Sequence, residues 1–298
     1  MNTPILFILF KRYDTALQVF NAIRQARPPR LYVFADAPRE GVKGEKEECL
    51  KTRAIVDLVD WECDVRTMFQ TENQGCGIGP YKAISWFFEN EEQGIILEDD
   101  CLPHPDFFQY CEELLNRYKS EPSITLITGR NNFRHLPQNS ESYFLSALHF
   151  CWGWASWRRV WEKYDYTLSD ITPLRYFKAL LRYFGLRNLH TIMWRMNILY
   201  FCKKNQPKDI WDYQFCITTQ MMGGYTIVPK NNLIRNIGND DRATHTSGIA
   251  DEIPLSPVLP LIHPEKIEYK SRYDVSYSHT RINSLKTIYY YIRNLINC

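Results

Sequence analysis

Glu98, Asp99 and Asp100 are three consecutive carboxylates that end the apolar run Gly94-Ile95-Ile96-Leu97 and precede Cys101-Leu102-Pro103. A short run without charges that stops at a cluster of acids reads as a buried central strand delivering negative charge to a pocket at its C-terminal tip. Ligands of α/β sheets collect at such tips. Adjacent acids repel one another and lose solvation under a sheet, so they need compensation, and a divalent cation carrying phosphates supplies it. Ions of the Mg2+ or Mn2+ type take one or two protein carboxylates and fill their remaining positions with phosphate oxygens and water. The same triplet also reads as a solvated turn that merely ends a strand. The apolar run before it and the helix start at Pro105-Asp106-Phe107-Phe108 after it favour the pocket.

Other stretches carry chemical signals. Gly75-Cys76-Gly77-Ile78-Gly79-Pro80 is a glycine-rich loop ahead of a helix opening at Tyr81-Lys82, either an approach for an anion to backbone N–H groups or a plain connection. In Phe150 to Trp161, two tryptophans flank Gly153, which predicts a tight loop and a helix from about Ser156. Trp157 and Trp161 belong to the core, whereas Trp152 and Trp154 read equally as core or as a platform for a sugar ring. Residues 171–204 hold seven basic side chains and no acid, interleaved with apolar residues. Such helices lie on anionic membranes or partners, or form a solvated insertion packed on their own domain. A late polar loop, 236–245, ends at His245, which alone reads as a surface residue.

The elements that must position these groups alternate in type. Residues 4–10 form a first buried strand, Asp14 caps the helix that follows, and residues 30–35 form a second strand ending at Asp36. A helix over 45–59 and a strand over 65–69 complete a β-α-β-α-β opening. Asp106 and Gln109 have the spacing of a capping box, and 123–128 and 225–229 are further strands, the first with a polar tip at Gly129 to Asn132. Prolines 254, 257, 260 and 264 mark a linker to a basic, Tyr-rich helix over 284–296. The chain therefore divides into an α/β domain over 1–250, with 171–204 as a basic helical insertion, and an extension over 251–298.

Composition narrows the classes. A net charge of +2 gives no nucleic-acid signature, nine cysteines without a C-x-x-C pair point to a reducing compartment and no zinc site, and no window approaches the length of a membrane span. With no signal-peptide layout at the N-terminus, the expected location is cytoplasmic, with peripheral membrane contact through 171–204 and 281–298.

The order of these pieces resembles the GT-A glycosyltransferases, nucleotide-diphosphosugar enzymes with a Rossmann-like, mostly parallel sheet. Leu97-Glu98-Asp99-Asp100 followed by Pro105-Asp106-Phe107-Phe108 is similar to the N-acetylglucosaminyltransferase I family, and Arg12, Asp36, Tyr81-Lys82, Asn131-Asn132, Gly153-Trp154 and Trp211-Asp212 occur in that family's order. The resemblance implies that Asp100 binds a divalent metal, Mn2+ or Mg2+, bridging the donor's diphosphate, with His245 near metal or phosphate. It implies Arg12, Asp36, Tyr81, Lys82, Glu98, Asp99 and Asn131 as donor-binding residues, and Trp152, Gly153, Trp154 and Trp211 as sugar or acceptor contacts. Asp212 is the implied general base of an inverting transfer from a UDP-sugar, GlcNAc as first guess, to a glycan or lipid-linked acceptor. The glycine-rich stretch, the acid-free insertion and the missing N-terminal anchor depart from that family.

Three readings compete. A sugar-1-phosphate nucleotidyltransferase would need a glycine-rich loop after the first strand, where Phe10-Lys11-Arg12-Tyr13-Asp14 has no glycine. A phosphatase with an aspartyl nucleophile would want Asp-x-Asp on its first strand. A non-catalytic nucleotide-sugar-binding or scaffold protein on the same fold would have no need of Asp100 and Asp212.

Overall fold

The computed structural model describes residues 1–133, 140–205, 210–238, 253–282 and 284–296. Four parallel strands open the sheet: β1 (Ile5–Leu9), β2 (Arg30–Ala35), β3 (Asp64–Phe69) and β4 (Gln93–Glu98). They lie in the order β3-β2-β1-β4, so their C-terminal tips share one end of the molecule. All five residues of β1 are buried because helices cover both faces of the sheet, which is why the strand is an unbroken apolar run. The covering helices are α1 (Tyr13–Ala26), α2 (Glu45–Arg53) and α3 (Gly75–Asn90).

After β4 come a short strand β5 (Cys101–Pro103), helix α4 (Asp106–Arg117), and strands β6 (Ile124–Thr128), β7 (Tyr143–Ser146) and β8 (Trp154–Trp157). Short α5 (Arg158–Trp161), α6 (Pro173–Phe184), α7 (Leu189–Asn205) and α8 (Asp212–Met221) follow. Strands β9 (Tyr225–Pro229) and β10 (Ile234–Asn236) precede helices α9 (Ser271–Arg281) and α10 (Ser284–Ile296). The main sheet continues from β4 as β8-β6-β9-β7, with β8 antiparallel to both of its neighbours, while β10 and β5 pair separately beside the tip of β4. The result is the expected mixed, mostly parallel α/β sheet flanked by helices.

Four local expectations are corrected. The glycine-rich stretch is the first turn of α3 and not a loop, because its backbone N–H groups find an acceptor inside the protein. Trp154 to Trp157 is a buried strand threaded between β4 and β6, so the helix starts at Arg158. Beside it on β4, Gly94, opposite Ser156, leaves room for the ring of Phe87 from α3 and for the Pro4 carbonyl. Helix α1 starts two residues early, at Tyr13, with Arg12 and not Asp14 at the cap position, which leaves Asp14 in its first turn. Asp106 likewise stands inside α4, and its Oδ2 accepts from the Val258 and Leu259 N–H groups (2.8 and 3.1 Å) and not from its own helix.

The basic stretch 171–204 folds onto α8 as a second apolar layer with Tyr176, Leu180, Ile192, Met196, Leu199 and Ile217 at its centre. Two of its cations turn inward. Arg195 is buried and donates to Gln220 Oε1 (3.3 Å), while Lys203 Nζ donates to the Leu168 and Ile171 carbonyls (2.9 and 2.8 Å). The proline-containing segment is anchored along its length: Ile262 exchanges hydrogen bonds with Ser142, and His263 bridges Tyr143 Oη and Glu113 Oε1, each at 2.8 Å. Beyond it, fully buried Asp274 of α9 accepts from Ser146 Oγ (2.6 Å), the Ala147 N–H (2.7 Å) and Tyr269 Oη (2.9 Å), tying α9 to β7.

Burial pushes the Asp274 carboxyl up to about 6 against those three hydrogen bonds. A buried acid whose folded pKa is raised contributes its full stability below the unfolded value and loses it as pH rises through the folded one. Denaturant titrations should therefore show wild type losing up to about 3 kcal/mol more than Asp274→Asn between about pH 4 and pH 7. Parallel curves for the two proteins would rule out Asp274 as the group responsible.

Candidate active site

The acidic tip is held from two sides. The connection from β1 to α1 is only three residues long, and it turns Arg12 back toward the end of β4. Arg12 Nη2 lies 2.7 Å from Asp100 Oδ2 and 3.3 Å from Asp99 Oδ1, and the Phe10 N–H donates to Asp99 Oδ2 at 3.3 Å. From the other side, the strand pair β5–β10 brings the late chain over the tip. The Ile237 N–H donates to the Asp100 carbonyl (2.8 Å), and Arg12 Nη1 donates to the Gly238 carbonyl (3.0 Å). Gly238 is packed so closely that a Cβ there would collide with Arg12 Nη1 and with the Asp100 side chain. No larger residue fits without opening this contact.

The charge balance is lopsided. Burial raises the Glu98 carboxyl well above the usual carboxylate range, and the charges of Asp100, Asp99 and Asp212 raise it further, opposed by Arg12. Asp99 is also held high, first by burial and then by Asp100, despite its bonds to Arg12 and Phe10. Asp212, the first residue of α8, therefore acts on the same pocket as the tip although it is more than a hundred residues away in sequence. Cys151 feels both: after burial, the charges of Asp212 and Glu98 are among those that push its thiol up.

The remaining residues singled out from sequence divide by what they touch. Trp211 and Trp154 are buried with ring centroids 5.8 Å apart, in a cluster with Trp161 and Phe215 that backs the pocket. Trp154 thus has no exposed face to offer as a platform. Trp152 is only partly buried, and the Arg130 guanidinium sits 5.2 Å from its ring. Gly153 has a positive φ of 61°, and a Cβ on it would strike Ile234, so it fits strand β10 against the 150–153 turn.

Asp36, Asn131, Tyr81 and Lys82 are engaged within the protein. Asp36, at the tip of β2, accepts from the N–H groups of Ala37, Gln74 and Gly75 (2.8 to 3.1 Å) and from Asn73 Nδ2 (3.2 Å). Its carboxylate is the anion at the start of α3. The Asn131 amide donates to the Pro229 and Lys230 carbonyls (2.8 and 2.9 Å) and accepts from the Phe133 N–H (2.8 Å). Tyr81 packs on Trp161, Tyr164 and Tyr166, and Lys82 donates to Gln74 Oε1. His245 lies outside the described residues. Sequence reasoning missed Cys151 and Arg130, which stand beside the tryptophans it noticed. It also missed the close fit of Gly238, for which the glycine in the polar late loop is the signal.

Among the described residues no three His, Cys, Asp or Glu side chains converge as a metal centre. The donor chemistry still fits a hard cation: an excess of carboxylate oxygen over positive charge surrounds Asp100, and ions of the Mg2+ class need only one or two such ligands when phosphate supplies the rest. Asp100 would hold such an ion, with Glu98 and Asp99 as neighbours.

No protein-family model matches the sequence, and no curated protein matches it. Among solved structures, the chain is similar to UDP-glucose pyrophosphorylase complexed with UDP-glucose, with 11% identity, 77% of this chain and 90% of that chain covered, and a TM-score of 0.40. It is similar to the inositol-1-phosphate CTP transferase from T. maritima (10% identity, 77% and 86% covered, TM-score 0.38) and to HddC from Yersinia pseudotuberculosis (10%, 55% and 80%, TM-score 0.34). Likenesses of this size say nothing about what the present chain binds or transforms.

Arg12 is the cation that the described residues place on the tip, so removing it exposes the repulsion among the acids. Arg12→Ala should lose about 3 kcal/mol of stability near pH 8, the cost of leaving buried charge unpaired, and less than half of that near pH 5, below the value of about 7 to which Asp99 is raised. Urea denaturation at the two pH values measures the difference. An equal loss at both would show that Arg12 acts by packing and not by charge.

Proposed function

We propose that this protein is a nucleotide-diphosphosugar-dependent glycosyltransferase of the GT-A type that transfers a sugar, GlcNAc as first choice, from a UDP-sugar to a hydroxyl with inversion. One observation carries the reading. The charge of Asp212, at the start of α8, acts on Glu98, so the acids of a central strand tip and a further acid from a distant element bear on one another. Displacing a nucleoside diphosphate requires charge stabilisation on the leaving side and a base on the other.

The chain's own groups divide between these tasks. On the leaving side, Arg12 stands against Asp99 and Asp100 and can turn part of its donor set to a phosphate oxygen. A divalent cation bound at Asp100 would supply Lewis-acid stabilisation of the departing diphosphate. Glu98, whose carboxyl is held above the usual carboxylate range by burial and by the neighbouring acids, can in its protonated form donate a hydrogen bond to a sugar or ribose hydroxyl, a role that an ionised carboxylate cannot fill. On the attacking side, Asp212 takes the proton of the acceptor hydroxyl as the new glycosidic bond forms, and the buried wall of Trp211, Trp154 and Phe215 keeps water from that face. A base opposite the leaving group gives in-line displacement and inversion.

The roles first assigned to Asp36 and Asn131 are not needed here, since both side chains spend their hydrogen bonds inside the protein. Nor does the turn between β1 and α1 offer a glycine-rich cradle for a nucleoside triphosphate; it presents Arg12 instead.

Asp212→Asn should retain donor binding, read by calorimetry with UDP-GlcNAc and Mn2+, while transfer to an acceptor falls by about 10²-fold or more. Asp100→Ala should lose the part of donor affinity that a chelator removes from wild type. Unchanged turnover in Asp212→Asn would remove the base from the scheme. Release of pyrophosphate from UTP and a sugar 1-phosphate would replace transferase with nucleotidyltransferase chemistry.

A further inference from the structure

Helices α6, α7 and α10 together contain no Asp or Glu. Between α7 and α10 runs an open groove of about 750 Å3. Lys204, Arg281, Lys286 and Arg293 line it, Trp194 and Tyr213 contribute aromatic walls, and there is no carboxylate among the described residues that line it. Helix α10 is docked here by hydrogen bonds from Asn197 Nδ2 to the Thr287 carbonyl (3.0 Å) and from Asn294 Nδ2 to Asn197 Oδ1 (3.3 Å).

That docking sorts the faces of α10. Thr287, Tyr291 and Asn294 recur at intervals of three and four and meet α7, while Lys286, Tyr290 and Arg293 follow the same rule one flank over and face the groove. The arc beyond them points outward and is apolar: Ile288 is 39% exposed, Tyr289 60% and Ile292 51%. An ordinary solvated helix carries charge on that arc. A helix whose outer face is apolar and whose flank is cationic is built to lie in the boundary between a bilayer and water.

We propose that the groove between α7 and α10 holds the phosphate of an anionic membrane lipid while the outer arc of α10 rests in the bilayer surface. Lys204, Arg281, Lys286 and Arg293 supply charge for a phosphate, and Trp194 and Tyr213 have the apolar bodies and polar edges that suit the headgroup level. The inner wall carries a further consequence that rests on the transferase reading above. Tyr213, which lines the groove, directly follows Asp212, so the groove adjoins the helix start that carries the base and suits a lipid-linked acceptor.

Co-sedimentation of the full chain with vesicles tests the site without reference to catalysis. Binding is expected to vesicles of phosphatidylcholine mixed with phosphatidylglycerol and not to phosphatidylcholine alone, and to weaken as salt is added. Lys286→Ala/Arg293→Ala should bind the mixed vesicles about 30-fold more weakly, since each basic residue near the surface contributes about fivefold. Ile288→Ser/Ile292→Ser should also bind less. Both pairs are exposed, so thermal melts should match wild type. The salt titration on unaltered protein decides the matter if they do not. Asp212→Asn should bind vesicles like wild type, so loss of transfer and loss of membrane binding can be told apart. Equal binding to neutral vesicles, or salt-insensitive binding, overturns the proposal. So does stabilisation by glycerol phosphate in a protein that ignores vesicles, which would assign the groove to a soluble phosphate.

Discussion

Mutual repulsion among Glu98, Asp99, Asp100 and Asp212, offset by Arg12, is the constraint around which this molecule is arranged. Like charges in a half-dry pocket are costly, and two of these acids respond by holding their protons at higher pH than carboxylates normally do. Such a concentration of perturbed groups marks a functional centre more often than a purely structural one. The surrounding elements make sense as means of sustaining it. The three-residue β1–α1 turn supplies the cation, the β5–β10 pair covers the tip, and Trp211, the residue before Asp212, is fixed in a buried aromatic cluster.

The protein meets the same electrostatic problem differently elsewhere. Asp36 is also a buried acid at a strand tip, but three backbone N–H groups and an amide surround it, so its charge is dispersed within the fold. Asp274 is dispersed in the same manner by Ser146, Ala147 and Tyr269. Glu45 is ion-paired with Lys11 and Arg39, which hold its carboxyl down at about 2. Among the described residues Glu98 has no comparable set of donors, and that contrast separates it from the acids that organise the fold.

Much of the architecture was legible in the sequence because uninterrupted apolar runs such as Ile5 to Leu9 and Ile95 to Leu97 belong only to strands covered on both faces. The acidic tip was legible for the same reason, since charge abutting such a run has nowhere else to point. Helix boundaries and glycine-rich stretches were not. Gly75 to Gly79 looks like a loop by composition, and only the distant Asp36, supplying an anion for the helix start, makes a helix of it. Trp154 to Trp157 lacks any turn signal that would mark it as a strand inserted late between two earlier ones. The partners of Asn131 and Trp154 are likewise tertiary: their residue types suggested ligand contacts, whereas neighbours remote in sequence claimed their polar and aromatic surfaces.

The closure of the tip by residues 234–238 also has a bearing on synthesis. Once the chain has emerged through Asp100, β1 to β4 can already pair and Arg12 can already find Asp100, but the lid that Gly238 lays on them is still more than a hundred residues from being made. Domains assemble as their segments emerge from the N-terminus onward. The nascent molecule must therefore carry an uncovered acidic crevice while those residues are added, and it is closed only once Gly238 has been made.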